Sequence, residues 1–192
     1  MQADSLQKMV EIRSRIPSAV YDLRYATKKN FTGQRLYEDG SATFLRLPVV
    51  QALKKVDEEL MKEGLGLKIF DAYRPHSVTR KMWELIQDDR YVADPSKGSG
   101  HNRGLSIDLT LVNRASGEEL DMGTGFDNFT DTAHHSFSSL PQQILENRKQ
   151  LRNAMEAAGF RALPTEWWHY SWPNDRNYAV LDLGFKTLRK NR

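Results

Sequence analysis

Cysteine is absent from this chain of 192 residues. Without a thiol there is no disulfide, no thiolate metal ligand and no cysteine nucleophile, so any metal must be held by histidines and carboxylates. An excess of charge of one sign is also lacking, since 28 lysines and arginines stand against 25 aspartates and glutamates and are interspersed with them. No basic face that could follow a phosphate backbone is therefore predicted, which argues against a nucleic-acid partner.

Long apolar runs are missing as well. The first 30 residues hold no stretch of signal-peptide length, and no later segment approaches a membrane span. We therefore predict a cytoplasmic protein with no membrane partner, or a periplasmic one if a leader has been removed. The length predicts a single domain over 1–192, with an N-terminal extension at 1–18 and a C-terminal segment at 173–192. The oligomeric state is left open.

Helical and strand patterns alternate along the chain. Apolar residues at helical spacing predict helices over 48–63, 76–87 and 141–158. Strands are predicted over 67–72, 105–111, 160–163 and 167–172, and a long loop over 88–103. The connection 113–118 is too short for a crossover and is typical of a hairpin. These elements predict an α+β fold with a central, mainly antiparallel sheet flanked by helices.

The predicted strand 105–111 alternates strictly between apolar and polar residues. Its apolar members should point into the core, so that Asp108 looks into a cleft on the opposite face with Ser106 and Thr110. His101 precedes Asp108 by seven positions, an odd separation that cannot face the same way on one strand. We therefore expect His101 on the loop before the strand, which the surrounding glycines would let bend back over the sheet.

His101, Asp108 and His169 match the three protein ligands of a catalytic zinc site, which leaves a fourth position for water. Glu166 is then a spare carboxylate that could accept a proton from the attacking water. Glu166 and His169 would diverge on a regular strand, so Glu166 is predicted in the turn after Pro164 or at a bulge.

Each segment also has a simpler interpretation. The surroundings of His101 could be a glycine-rich surface turn with a solvated histidine. The segment 166–169 could be an amphipathic edge strand with two packing tryptophans. Taken singly, neither segment identifies a metal site, whereas together they indicate a hydrolase.

Four segments resemble the VanX-type D-alanyl-D-alanine dipeptidases. They are Asp-Ala-Tyr-Arg-Pro at 71–75, Ser-Gly-His-Asn-Arg-Gly-Leu-Ser-Ile-Asp-Leu-Thr-Leu at 99–111, Met-Gly-Thr-Gly-Phe-Asp at 122–127 and Glu-Trp-Trp-His-Tyr at 166–170. Tyr-Ala-Thr at 25–27 and Asn-Phe-Thr-Gly at 30–33 fit the N-terminal part of the same family, so the resemblance runs from about 21 to 172. The histidine, aspartate and Glu-x-x-His parts are shared with zinc D,D-carboxypeptidases and hedgehog domains, which implies a hedgehog/D,D-peptidase-like fold.

The resemblance implies a role for each matching residue. One zinc ion per chain would be held by His101, Asp108 and His169, with Glu166 as the catalytic base and Arg74 stabilising the tetrahedral intermediate. The free ammonium of a dipeptide would be held by a further set: Asp127, Tyr25 and Ser99. The implied reaction splits D-Ala-D-Ala, a small-molecule substrate, into two D-alanines. Without the resemblance, Arg74 could be a surface ion pair and Asp127 a loop-capping residue.

The sequence departs from the family in two places and leaves two rival functions open. Ser106 stands where many relatives have a small apolar residue, and the stretch before the first motif is shorter than in the resistance-associated dipeptidases. One rival is a D,D-carboxypeptidase or endopeptidase that acts on peptidoglycan stem peptides through an open groove. The other is a metal-retaining binding module without catalysis, against which the presence of both Glu166 and Arg74 argues.

Overall fold

The computed structural model describes residues 5–38, 42–88 and 90–190. Five α-helices are assigned there: α1 (Leu47–Lys62), α2 (His76–Leu85), α3 (Gly100–Arg103), α4 (Gln142–Ala157) and α5 (Phe185–Lys190). Seven strands accompany them: β1 (Met9–Glu11), β2 (Val20–Tyr21), β3 (Phe44–Arg46), β4 (Leu65–Asp71), β5 (Ser106–Asn113), β6 (Arg161–Leu163) and β7 (Glu166–Ser171). In this described part, no helix is both long and apolar enough to cross a membrane.

The main sheet has five strands in the order β2-β4-β5-β7-β6, and β1 pairs with β3 in a separate two-stranded sheet. Every pair in the main sheet is antiparallel except β2 with β4, which is parallel. The predicted α+β fold with a mainly antiparallel sheet is thus confirmed. The parallel edge strand was not foreseen, since a two-residue strand has no recognisable periodicity.

The core lies between the sheet and two helices, α1 and α4. Helix α1 has Pro48 in its first turn, where the missing N–H costs no hydrogen bond, and Gly64 adopts φ 74° just past its end. Its apolar stripe packs with buried residues of β4, β5 and α4 in one cluster. The helices predicted over 48–63 and 141–158 are confirmed to within a residue at each end.

Strand β5 is central in the sheet, and both of its faces are buried. The apolar face behaves as predicted, because Leu105 before the strand and Ile107, Leu109 and Leu111 within it are at most 1% exposed. The polar face is buried too, with Ser106, Asp108 and Thr110 at most 3% exposed. Helix α3 approaches that face, since a Cβ at Gly100 would lie 2.0 Å from Ser106 Oγ, and Asp108 lines a cavity beside it.

One element was predicted wrongly. The segment 88–103 was expected to be a loop throughout, yet its last four residues form α3, and His101 lies on that helix. A single helical turn is too short to show a hydrophobic period. The hairpin at 113–118 is confirmed, since the Asn113 amide donates to the Glu118 carbonyl at 2.8 Å. That residues 1–192 form one domain stays a prediction, and residues 1–4, 39–41, 89 and 191–192 lie outside the described part of the chain.

Candidate active site

Three side chains from three elements converge on one point. His101 comes from α3, Asp108 from β5 and His169 from β7, and one potential ligand atom of each lies within 4.8 Å of the others. His169 Nδ1 is 2.8 Å from Asp108 Oδ1 and 3.2 Å from His101 Nε2. His101 Nε2 is 3.4 Å from Asp108 Oδ2. Two imidazole nitrogens and one carboxylate oxygen at this spacing fit a three-coordinate protein site for zinc.

The strand register places two of these residues side by side. Asp108 and His169 are direct partners across the antiparallel pair β5–β7, so both point from the same face of the sheet. The predicted orientation of Asp108 toward a cleft therefore agrees with the structure. The cleft at this point contains the other two residues of the predicted triad.

Helix α3 positions His101 although it is only one turn long. Its first residue follows Ser99, whose hydroxyl accepts from the Asn102 amide at 3.2 Å while the Asn102 side chain accepts from the Ser99 amide at 2.9 Å. Asn102 also donates to the Arg74 carbonyl at 2.9 Å and to Thr79 at 2.8 Å. The helix is thereby fixed to the segment after β4, and Gly104 ends it with φ 70°.

The two histidines present opposite ring nitrogens to the centre. His101 Nδ1 lies 2.6 Å from the Ala72 carbonyl, which can only accept, so its proton sits on Nδ1 and Nε2 faces the other ligands. His169 does the reverse: Nδ1 faces Asp108, and Nε2 lies 3.0 Å from Ser171 Oγ. Each imidazole therefore turns one nitrogen toward the other two predicted ligands and the other nitrogen toward a hydrogen-bonding group of the protein.

The pKa values of two carboxyl groups at the centre, Asp108 and Glu166, are shifted in opposite directions. Burial opposes the ionised form of Asp108, but His101 and His169 outweigh it and hold the pKa of Asp108 below its usual range. Burial raises the pKa of Glu166 to about 7, and His169 opposes the rise. Glu166 Oε2 is 3.9 Å from His169 Nδ1, so a carboxyl that can exchange a proton near neutral pH adjoins the three ligands.

Glu166 lies where the sequence predicted an irregularity. It is the first residue of β7 and pairs with Leu163, whereas the neighbouring Ala162 pairs with Tyr170. The register between these two pairs is shifted, so Glu166 escapes the strict alternation that would turn it away from His169. The predicted bulge is confirmed.

Arg74 is buried and held by an acidic partner. Its guanidinium donates from Nε and Nη2 to Asp71 Oδ2 at 3.1 and 2.8 Å, and Nη1 has no acceptor among the described residues. Asp71 also accepts from the hydroxyl of Tyr37 at 2.5 Å. Burial opposes the charged form of Arg74, but Asp71 outweighs it and the pKa of Arg74 rises well above its usual range. The alternative of a surface ion pair is wrong, because Arg74 is 7% exposed.

Asp127 and Tyr25 meet across a sequence separation of 102 residues. The Tyr25 hydroxyl donates to Asp127 Oδ1 at 2.9 Å, while Oδ2 is buried and has no partner among the described residues. Burial raises the pKa of Asp127 to about 8, and the hydrogen bond from Tyr25 opposes the rise. An unpartnered buried carboxylate oxygen is costly, which is typical of a site that awaits a cationic ligand.

The loop that carries Asp127 is tied to helix α4. Arg148 donates to three backbone carbonyls, those of Met122, Thr132 and His134, at 2.7, 2.9 and 3.2 Å. Trp167 adds a hydrogen bond of 2.7 Å to Thr124 in the same loop, and Trp168 lines the cavity. Trp167 therefore helps to hold the loop that carries Asp127.

A cavity of about 250 Å³ brings the predicted residues together. All eight of them line it: Tyr25, Arg74, Ser99, His101, Asp108, Asp127, Glu166 and His169. Ser99 is at the same time the N-cap of α3, so its hydroxyl is already engaged with the Asn102 amide. The roles assigned to these residues stay predictions, whereas their proximity is a property of the structure.

Several cavity residues were not found from the sequence. Three aromatic rings from separate loops meet at one side: Phe31 and Phe129 have centroids 5.3 Å apart, and Tyr91 lies 4.6 Å from Phe129. Contacts between aromatic rings of separate loops produce no periodic pattern in the amino-acid sequence. Ser106 and Ser171 also line the cavity, and only Ser106 could have been found, from the alternation that places it on the same face as Asp108.

Comparison with known proteins gives one consistent family. The family described as D-ala-D-ala dipeptidase, Peptidase_M15, matches residues 5–186. The D-alanyl-D-alanine dipeptidase of Escherichia coli K12 is 35% identical over 174 residues, which covers 91% of this chain and 89% of the relative. That of Enterococcus faecium is 32% identical over 170 residues, with 78% of this chain and 84% of the relative covered. That of Streptomyces coelicolor is 33% identical over 175 residues, with 79% and 84% covered.

The solved structures that match include two peptidases. The LdcB LD-carboxypeptidase is 20% identical, with a TM-score of 0.45 over 77% of this chain and 64% of that one. A variant of the vancomycin resistance D,D-pentapeptidase VanY in complex with Zn(II) is 13% identical, with a TM-score of 0.43 over 70% and 75%.

Proposed function

Because the chain belongs to the D-Ala-D-Ala dipeptidase family of M15 peptidases, we propose that it is a zinc metallopeptidase that hydrolyses D-Ala-D-Ala to two D-alanines. The observation that carries the proposal is the cavity in which a three-ligand centre, a spare carboxyl, a buried arginine and a buried aspartate all face one space.

The metal is assigned to His101, Asp108 and His169. Zinc bound there would act as a Lewis acid on the scissile carbonyl and on the attacking water. The protein's part is to keep Asp108 ionised and to turn one nitrogen of each histidine toward the centre. The lowered pKa of Asp108 supports the first condition, and the hydrogen-bond partners of the opposite ring nitrogens support the second. Imidazole and carboxylate donors suit zinc, and the chain contains no thiolate.

Glu166 is assigned as the proton carrier. With its pKa raised to about 7 by burial, Glu166 can accept a proton from the attacking water and donate it to the leaving amine. Arg74 is assigned to the developing oxyanion. Asp71 engages two of its nitrogens, so the guanidinium is fixed in orientation while Nη1 stays available.

Asp127 is assigned to the substrate ammonium, together with Tyr25 and Ser99. The unpartnered Oδ2 would gain a charged hydrogen bond from a free N-terminus. A longer peptide would present an uncharged amide at that point and leave the carboxylate unsatisfied. The Asp127 carboxyl therefore favours a dipeptidase over a D,D-carboxypeptidase that acts on stem peptides.

The proposal is tested by alanine release from two substrates, free D-Ala-D-Ala and a stem pentapeptide ending in D-Ala-D-Ala. Each is incubated with the zinc-loaded enzyme and with enzyme treated with a chelator. We expect release from the dipeptide alone, and only with zinc. Equal hydrolysis of both peptides would contradict the dipeptidase assignment, and zinc-independent or absent release would contradict the metallopeptidase mechanism.

A further inference from the structure

Two serine hydroxyls lie directly behind the proposed metal ligand His169. Ser171 Oγ is 3.0 Å from His169 Nε2, and Ser106 Oγ is 2.7 Å from Ser171 Oγ. Ser106 is fully buried, so this chain of contacts is shielded from solvent at its inner end. None of the roles proposed above uses either serine.

The arrangement follows from the strand register. Ser106 and Ser171 are direct partners across β5–β7, as are Asp108 and His169 two residues further along. Residues two apart on a strand share a face, so the pair of hydroxyls and the pair of ligands are neighbours on one side of the sheet. The sheet therefore fixes the distance between the serines and the imidazole.

The hydroxyl of Ser171 can hold His169 in the tautomer that binds a metal through Nδ1. If Nε2 carries the proton and donates to Ser171 Oγ, the lone pair is on Nδ1, which faces Asp108 and His101. If Ser171 donated instead, the proton would sit on Nδ1 and block it. Either hydroxyl of the serine pair can be the donor; when Ser171 donates to Ser106, its own proton is engaged and Ser171 Oγ is left to accept from the imidazole.

Gly100 provides the space that Ser106 needs. A Cβ at this position would lie 2.0 Å from Ser106 Oγ and 3.5 Å from Ser171 Oγ. Gly100 is also the first residue of α3, the helix that carries His101. Any larger residue would displace either the Ser106 hydroxyl or the helix, so this glycine couples the serine pair to the second histidine.

We propose that Ser171 and Ser106 are positioning residues that hold His169 in the ring orientation and tautomer required for metal binding. The inference rests on the proposed function, in which His169 is a zinc ligand.

The test is a measurement of zinc affinity, by competition with a chromophoric chelator, for the full chain and four variants: Ser171→Ala, Ser106→Ala, His169→Ala and Ser18→Ala. Loss of a group that orients a metal ligand typically weakens metal binding by about 10- to 100-fold. We expect that loss for Ser171→Ala and a smaller one for Ser106→Ala, which leaves the first hydroxyl in place. Ser18 donates to Asp57 at 2.7 Å, remote from the serine pair, so Ser18→Ala is a matched control that should keep the original affinity.

A second readout separates positioning from a general structural role. In the zinc-loaded protein the His169 Nε2 proton should be visible by ¹H–¹⁵N correlation and exchange slowly with water, and Ser171→Ala should accelerate that exchange. If Ser171→Ala changes neither the zinc affinity nor the exchange rate of the His169 Nε2 proton, while His169→Ala loses zinc, the positioning role of the serines is wrong and the ligand assignment stands. Zinc binding retained by His169→Ala would instead overturn the ligand assignment on which it rests.

Discussion

Asp127 combines two features that are individually unfavourable. Its backbone is left-handed, with φ 61°, a conformation that aspartate and asparagine tolerate better than other side chains except glycine. Its carboxyl is buried with one oxygen unpartnered among the described residues. Both costs are understandable if the residue is held ready for a cationic substrate, since sites that bind ligands often sacrifice stability.

This cost predicts a specific pH dependence. When unfolded, the Asp127 carboxyl loses its proton near the ordinary pKa of 3.8, whereas in the folded protein it does so at about 8. The folded state therefore binds more protons between these values, and this group's stabilising contribution, complete below 3.8, is lost as the pH rises through 8. Asp127→Asn keeps the left-handed backbone but cannot ionise. We expect it to be more stable than the original protein at pH 9, and to have lost most activity on the dipeptide.

Urea unfolding of the metal-free protein at pH 5, 7 and 9 checks this expectation. Asp175→Asn removes a carboxylate from an exposed position and serves as the control, which should follow the pH dependence of the original protein. If the free energy of unfolding depends on pH in the same way for Asp127→Asn and for the original protein, the Asp127 carboxyl is not the source of the pH dependence.

Glu166 yields the second prediction at this scale. Glu166→Gln preserves the shape of the side chain but cannot carry a proton, so hydrolysis should fall by roughly 100- to 10,000-fold. Zinc affinity should stay within a few-fold, since Glu166 is not among the assigned ligands. Activity and zinc content are measured on the same preparation, with Glu118→Gln in the exposed hairpin as the control. If zinc is lost together with activity, Glu166 is a ligand and the assignment must change.

At the scale of elements, β5 and α3 show what the sequence reveals. Strand β5 was predicted correctly, with Asp108 facing the cleft, because strict alternation is a strong signal. Helix α3 was missed because four residues carry no period, although Ser99 and Asn102 form a capping box that marks its start. His101 was consequently predicted near Asp108 but on the wrong kind of element.

The limits of sequence reasoning also show in the contacts between loops. Tyr37 positions Asp71, and through it Arg74, but 34 residues separate Tyr37 from Asp71 and no local pattern connects them. The cluster of Phe31, Tyr91 and Phe129 likewise depends on how three loops fold together. Such residues are identified only when the tertiary structure is known, whereas the eight predicted cavity residues were carried by motifs.

The end of α3 gives a prediction about this element. Gly104 has φ 70°, and a Cβ there would lie 2.7 Å from Met9 Cε. Gly104→Ala should lower the free energy of unfolding by about 1–2 kcal/mol, the usual cost of a left-handed alanine. It should also weaken zinc binding, because it distorts the helix that carries His101. The free energy of unfolding is measured by urea unfolding of the metal-free protein, and the zinc affinity is measured by chelator competition.

Gly117→Ala is the matched control for this prediction. Gly117 has a similar φ of 75°, but a Cβ there would meet nothing within 4 Å. It should show a comparable loss of stability with no change in zinc affinity. Equal zinc affinity in both variants would mean that α3 tolerates the substitution without moving His101.

For the whole molecule, the three proposed ligands span residues 101 to 169 and meet only once the sheet has formed. An unfolded chain has no such centre, so zinc should stabilise the folded state by mass action. At a free zinc concentration 1,000 times the Kd the gain is about 4 kcal/mol. For a chain of this size that corresponds to a rise in Tm of roughly 8–16 °C.

Thermal unfolding with excess zinc and with excess chelator measures this shift. His169→Ala, which removes one assigned ligand, should show a much smaller shift between the two conditions. A shift of the same size in His169→Ala would indicate that zinc binds elsewhere on the protein.

The connection 114–141 between β5 and α4 carries Asp127 but none of the assigned metal ligands, and Arg148 fastens it to α4 through three of its carbonyls. The residues assigned to bond cleavage and the Asp127 carboxyl assigned to selectivity thus lie on different segments of the chain. Substitutions in this connection during evolution would alter which amino termini the enzyme accepts and leave the residues assigned to metal binding and catalysis unchanged. A new peptide specificity would thus begin with changes in this one segment, whereas Tyr25 and Ser99, which are also assigned to the ammonium, lie outside it.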